Sequence, residues 1–316
     1  MLLTSSLRIT LVAACLAGNS FGQLWTDAAD KTLPPDFQIQ GEYEGNKMGA
    51  QVIALGKGRF HAVMYPGGLP GAGWDGQNKS LLDGKLEGDK ALFTAAAGSR
   101  SYMAREADKF SATRNFPPKG HKPYSGSISK GVFSGASSTG AQFSLKRIVR
   151  KSPSLGAKPP RDAVVLFDGT KESMKNWQGG RFDEKTGLLN TDGNDIRTKE
   201  KFLNYIMHVE FMLPFKPDAR SQGRGNSGFY QVDMYEMQIL DSFGLMGLNN
   251  ECGGIYQKAD SKVNMCLPPL QWQVYDVDFN SAVMKDAKKV SNAVLTARLN
   301  GVTIHEKLQI NGKTGG

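Results

Sequence analysis

RGNSGFYQVDMYEMQILD, residues Arg224 to Asp241, reads as two short strands joined through a polar turn. Phe229-Tyr230-Gln231-Val232 is aromatic and β-branched and follows the turn-forming Gly225-Asn226-Ser227-Gly228, while Tyr235 to Leu240 alternates polar with apolar. Successive strand side chains point to opposite faces, so Glu236 and Gln238 share one face and Tyr235, Met237 and Ile239 the other. Asp241 is out of phase with the polar pair. A one-residue bulge after Gln238 would restore the phase and bring Glu236, Gln238 and Asp241 into one cleft, two carboxylates and an amide facing a polar ligand.

Working outward, the segments on either side are also strand-like. Tyr205 to Pro214 alternates, with Met207, Val209, Phe211 and Leu213 on an apolar face and His208 and Glu210 on a face expected to be solvated. Trp272 to Phe279 alternates as well. Ala293 to Leu299, Asn300-Gly301 and Val302 to Ile310 form a hairpin signature. Asn249 to Cys266 reads as a long excursion with little regular structure, and Ala163 to Thr170 as a strand entering a turn, followed by Trp177.

GNSGFY followed by YEMQILDSFG, with FDG and Trp177 upstream and an LNGV strand downstream, resembles the 3-keto-disaccharide hydrolase family from about Val164 to the end. The resemblance implies a concanavalin A-like jelly-roll β-sandwich, the architecture of laminarinase-type glucanases. Those glucanases carry acidic residues at i, i+2 and i+5 on a bulged strand, where this chain has Glu236, Gln238 and Asp241. Family members continue into a Gln-Asp-His-Gly motif and an Arg-Asn pair; neither follows Gly316, so a sandwich incomplete at its C-terminus is expected.

The same resemblance implies a substrate, an oxidised disaccharide or glycoside carrying a ketone at C3, and cleavage by elimination followed by hydration. Glu236 and Asp241 are then the acid/base candidates and Gln238 an orienting amide. Arg224, Asn226 and Ser227 become donors near the keto oxygen, and Tyr230 a further substrate contact. No cofactor is required, although a divalent cation could replace some of those donors. Ordinary glycoside hydrolysis stays open, with two carboxyls about 5–9.5 Å apart. So do a non-catalytic, lectin-like carbohydrate-binding protein and an envelope scaffold in which Glu236 and Asp241 form salt bridges.

Residues 1–22 read as a signal peptide: Arg8, an apolar run from Ile9 to Gly18 too short to span a bilayer, and small residues at Ser20 and Gly22. A competing lipobox, Val12-Ala13-Ala14-Cys15, would tether the chain by a lipid at Cys15. Both imply export. No later apolar run reaches membrane-spanning length, so no transmembrane segment is expected. The net charge of +9 suits anionic surroundings such as acidic glycans, but no basic stripe interleaved with aromatics points to nucleic acid.

Residues 23–150 are expected to form a small all-β sandwich or barrel, with strands at Tyr43–Gly45, Ala50–Leu55, Phe60–Tyr65, Leu81–Leu86, Ala91–Phe93 and Ala141–Leu145. The Gly- and Pro-rich loop from Tyr65 to Gly76 places Trp74 where it can stack on a sugar or plug the barrel. His61 and His121 read as ordinary strand and loop residues. Residues 151–162 have linker composition, leaving 163–316 for the sandwich. Cys252 and Cys266 are a disulfide candidate closing a loop beside the cleft. No Cys or His pair has the close spacing of a zinc site.

Overall fold

The computed structural model describes residues 4–10 and 23–315. Eight strands, β1 (Gly41–Gly45), β2 (Met48–Gly56), β3 (Arg59–Pro66), β4 (Ser80–Glu87), β5 (Lys90–Ala95), β6 (Tyr124–Ser129), β7 (Val132–Ser137) and β8 (Gln142–Ile148), close into an antiparallel barrel. Each strand pairs with its neighbour in sequence, and β8 returns to β1 through Lys146↔Glu44. Alternation fills the interior with Ala50, Val52, Ala54, Phe60, Ala62, Met64, Phe93, Phe133 and Phe143.

The outward side chains of the same strands are also buried. Ile53, Leu55, Val63, Tyr65 and Leu81 belong to one apolar cluster with Phe211, Met237, Phe243 and Tyr275 of the following region. β2 therefore has no wet face, which is why its sequence carries little polar alternation. A bulge between Ala54 and Gly56 leaves carbonyls for two guanidinium groups: Arg224 Nη2 donates to Ala54 O at 2.7 Å and Arg220 Nη2 to Leu55 O at 2.8 Å.

The second region is a two-layer sandwich. Its large sheet contains β9 (Arg181–Asp183), β10 (Leu188–Asn190), β11 (Asn204–Met212), β14 (Trp272–Asn280), β15 (Ala293–Leu299) and β16 (Val302–Ile310). The Thr4–Thr10 segment lies between β10 and β11, parallel to β11 from Thr4↔Ile206 to Thr10↔Met212. Of the leader expected over residues 1–22, the remainder, Cys15 included, lies outside the described residues. Across the core sits the hairpin of β12 (Asn226–Gln231) and β13 (Tyr235–Leu240). Tyr275 joins the layers: its ring lies 4.9 Å from that of Phe211 and its hydroxyl donates to Gln238 O at 2.7 Å. Trp177 is buried, donating from Nε1 to Leu166 O at 2.9 Å.

The architecture is the expected all-β barrel followed by a sandwich, with three local corrections. His208 and Glu210 do not face solvent, because residues 152–156 lie across them. Ser154 Oγ donates to Asp276 Oδ2 at 2.7 Å, the Gly156 amide donates to the Glu210 carboxylate, and His208 bridges Asp276 at 2.6 Å and Glu210 at 3.3 Å. Burial alone would lower the His208 pKa, but hydrogen bonds and charge from both carboxylates raise it to about 9.

The expected disulfide is also absent: Cys252 and Cys266 are buried free thiols, side by side. Cys252 Sγ meets Tyr275 OH at 3.3 Å, and Cys266 Sγ donates to the Leu240 and Leu267 carbonyls at 3.5 Å each. Their segment is held by backbone bonds to β13 instead, Gln238 N to Gly254 O at 2.8 Å and Gly253 N to Gln238 O at 3.0 Å. Thus part of the excursion beyond Asn249 acts as an extra strand, bridging Met237 to Ile255.

Candidate functional site

The β12–β13 hairpin turns at Val232 and Asp233, both left-handed at φ 48° and 58°, the handedness that suits the twist of paired strands. β12 begins at Asn226, so Asn226 to Gly228 belong to the strand rather than to a turn before it. The pairing runs without a register shift from Gln231↔Tyr235 to Asn226↔Leu240, and the Asp241 amide continues it with a 2.8 Å bond to Gly225 O. The expected bulge does not form. Alternation then places Asp241 on the face of Met237 and Ile239, away from Glu236 and Gln238.

On the polar face, Tyr230 stands opposite Glu236 and Gly228 opposite Gln238. Tyr230 OH donates to Glu236 Oε2 at 3.0 Å. Glu236 Oε1 occupies space that Gly228 leaves free: a Cβ added there would lie 2.5 Å from it. Gln238 Nε2 donates to Gln222 Oε1 at 3.1 Å, while Gln238 Oε1 accepts from the Ile239 amide at 3.0 Å. Gln222 Nε2 reaches Asn250 O at 3.0 Å, and Asn226 Nδ2 reaches Gln222 O at 3.3 Å. Thr314 Oγ1 accepts from the Glu236 amide at 2.9 Å and so pins the start of β13.

Glu236 is 7% exposed and Tyr230 38%, so the phenol opens to solvent while the carboxyl sits behind it. Burial raises the Glu236 pKa above the ordinary carboxylate range, opposed by the Tyr230 hydrogen bond. Tyr230 is pushed up to about 12 by burial, by its bond to Glu236 and by nearby negative charge, including Asp195. The pair combines a carboxyl of raised pKa with a neutral phenol.

Arg224 and Asp241 form a different unit. Arg224 Nη1 meets Asp241 Oδ2 at 3.1 Å, its Nε donates to Ala219 O at 3.0 Å, and both residues are buried. Burial pushes the Asp241 carboxyl up while the Arg224 charge draws it down. Asp241 Oδ1 has no hydrogen-bond partner among the described residues. Ser227 pairs with Ile239 and shares that inner face. Of the residues singled out from sequence, the structure thus gathers Glu236, Gln238, Tyr230 and Asn226, and separates from them Arg224, Ser227 and Asp241. Gln222, Asn250, Asp195 and Thr314 were not legible beforehand, because they reach the hairpin from segments with no local pattern to mark them.

Glu236 brings one carboxylate among amides, and among the described residues there is no group of three or more His, Cys, Asp or Glu side chains that could hold a metal.

Residues 162–316 match the model of the 3-keto-alpha-glucoside-1,2-lyase-like domain. The chain belongs to that family. The solved structure of a candidate glycosyl hydrolase from Parabacteroides distasonis is 32% identical, with 50% of this chain and 69% of that one covered and a TM-score of 0.46. No curated protein matches the chain. Within the lyase-like domain, the β12–β13 hairpin supplies the polar face just described, and the barrel precedes the matched residues.

Proposed function

We propose that the lyase-like domain cleaves glycosides carrying a ketone at C3, by elimination across C1 and C2 followed by addition of water. The observation that carries this reading is the Glu236–Tyr230 pair, a buried carboxyl of raised pKa bonded to a solvent-facing phenol at 3.0 Å. A ketone at C3 acidifies the hydrogen on C2. Glu236 as carboxylate removes that proton, and the electron pair forms an enolate between C2 and C3. The enolate collapses to the enone, the C1–O1 bond breaks, and the departing oxygen takes a proton from Tyr230. Glu236 then returns its proton to the phenolate across their hydrogen bond, restoring both groups. Water adds its hydroxyl to C1 and a proton to C2, giving the 3-keto sugar.

A phenol with a pKa of about 12 is an apt donor to an alkoxide leaving group. The Gln222, Gln238 and Asn226 amides offer hydrogen bonds to the sugar and its developing enolate. Asp241, engaged by Arg224 on the other face, has no part in this sequence of steps. The leader-like composition of residues 1–22 favours action outside the cytoplasm, although Thr4–Thr10 pairs with β11 in the structure.

Turnover of a 3-keto-glucoside in D2O tests the mechanism, with C2 labelling compared against the sugar incubated alone. Elimination and hydration place deuterium at C2 of the released sugar; retention of the original C2 proton would sink this route in favour of direct hydrolysis. Saturable binding without turnover would instead identify a carbohydrate-binding protein.

A further inference from the structure

Away from the hairpin, a cleft of about 270 Å3 opens in the seam between the barrel and the sandwich. That is just under the roughly 300–1,000 Å3 of sites for drug-sized ligands, and suits one sugar unit. Its barrel wall carries Tyr65, Trp74, Lys79, Arg114 and Lys119, and its sandwich wall includes Lys262. The lining holds four cationic side chains and no carboxylate.

Lys79 Nζ sits 4.8 Å from the Trp74 ring centre and 5.6 Å from that of Tyr65. No hydrogen-bond acceptor meets it among the described residues. Burial lowers its pKa to about 8, against the pull of Glu251. Glu251 cannot pair with it fully: its carboxylate already accepts from the Gly247 and Leu248 amides at 2.6 and 3.1 Å and from Tyr102 OH. The ammonium is thus half stripped of water, gripped by two rings, and left facing a cavity. An ammonium so placed lacks the oxygen acceptors it would have in water.

Trp74 is fixed at this rim by Nε1 donating to Asn78 O at 2.8 Å and by an edge-on contact with Tyr65 at 5.1 Å. It neither plugs the barrel nor projects freely. Lys119 and Lys262 are each tethered by a side-chain partner, Gln77 and Glu306. Arg114 is exposed at the mouth, and among the described residues no acceptor meets its planar fork, which can take a carboxylate or sulfate in two parallel bonds.

We propose that this seam is a second carbohydrate site, one that takes a sugar unit bearing a carboxylate or sulfate, with Lys79 and Arg114 as its anion ligands and Trp74 as its apolar wall. The assignment does not depend on the chemistry at Glu236.

The test is calorimetric titration of the full chain with digalacturonate, glucose 6-sulfate, neutral cellobiose and inorganic sulfate. Either charged sugar should bind, more weakly as salt is raised, while cellobiose does not. Lys79→Met keeps the stem against the rings and removes the charge; it should weaken binding at least about tenfold, the scale of one charge-assisted hydrogen bond. Arg114→Gln, at an exposed position, should weaken it in the same direction. The proposal is overturned if cellobiose binds as tightly as the charged sugars, if inorganic sulfate matches them, or if binding survives both seam substitutions.

Discussion

Glu236 and Asp241 lie on one β-strand and its exit, yet the fold gives them opposite environments. Glu236 faces outward behind a phenol at 3.0 Å, and among the described residues it has no ion-pair partner. Asp241 faces the core, locked to Arg224 at 3.1 Å, and that arginine also holds Ala54 of the barrel. Two carboxyls raised by burial therefore do different work. The partner decides which: a cation fixes the charge and with it the structure, whereas a phenol leaves the proton free to move.

The comparison can be broken most forcefully at Asp241. Asp241→Asn strands a buried guanidinium and should cost about 3–5 kcal/mol in denaturant unfolding; a loss of activity with unchanged stability would put Asp241 in the chemistry instead. Glu236→Gln should do the reverse, lowering turnover of a 3-keto-glucoside by about 10²–10⁴-fold with little change in unfolding. Gly228→Ala is a finer probe, since its new Cβ would press on the far end of the Glu236 side chain and on the Tyr230 ring, 2.5 and 2.9 Å away. Activity should fall about tenfold for a stability change within roughly 1 kcal/mol.

Tyr230→Phe removes the bond that holds the Glu236 pKa down. The acid limb of the pH–rate profile, set by the Glu236 carboxyl, should move to higher pH, and turnover should fall with it. An unmoved limb would assign that limb to another group.

The smallest effect concerns the segment across β11. His208 has a folded pKa of about 9 against an ordinary 6.5, so its contribution to stability is complete below about 6.5 and is lost as pH rises through 9. Melting temperature should decline more steeply over that interval in the native chain than in His208→Gln. Parallel slopes would show that the imidazole is not protonated in the fold.

Much of this contrast could be read from the chain, but not its decisive part. Alternation located β11, β14 and the Asn300-Gly301 hairpin, because one face of each strand is committed to the core. It missed β6 and β7, where Gly126 and Gly135 let the backbones approach so closely that a Cβ at either would fall 2.4 or 2.0 Å from a carbonyl oxygen of the other strand. Such strands are rich in Ser and Gly and look like loops. The site was half legible for a related reason. Local spacing put Glu236 and Gln238 on one face and the family resemblance added Tyr230, but the phase of Asp241 hinged on a bulge that sequence could only suppose. Gln222 and Thr314 arrive by tertiary folding, which leaves no periodic trace. His208 and Glu210 looked solvent-facing because nothing local announces that residues 152–156 return to cover them.

The strand β2, walled by the barrel interior on one side and the sandwich on the other, has one more consequence. A Cβ added at Gly244, three residues beyond Asp241, would lie 2.7 Å from Ile53 Cδ1. Positions 53 and 244 are therefore not free to drift separately: a side chain gained at 244 would need a shorter one at 53, and would still bear the strain of a left-handed backbone at φ 75°. The heredity of the hairpin is in this sense written partly in the barrel, and a lineage that exchanged one region for another would have to re-cut this joint before the polar face of β13 could keep its alignment.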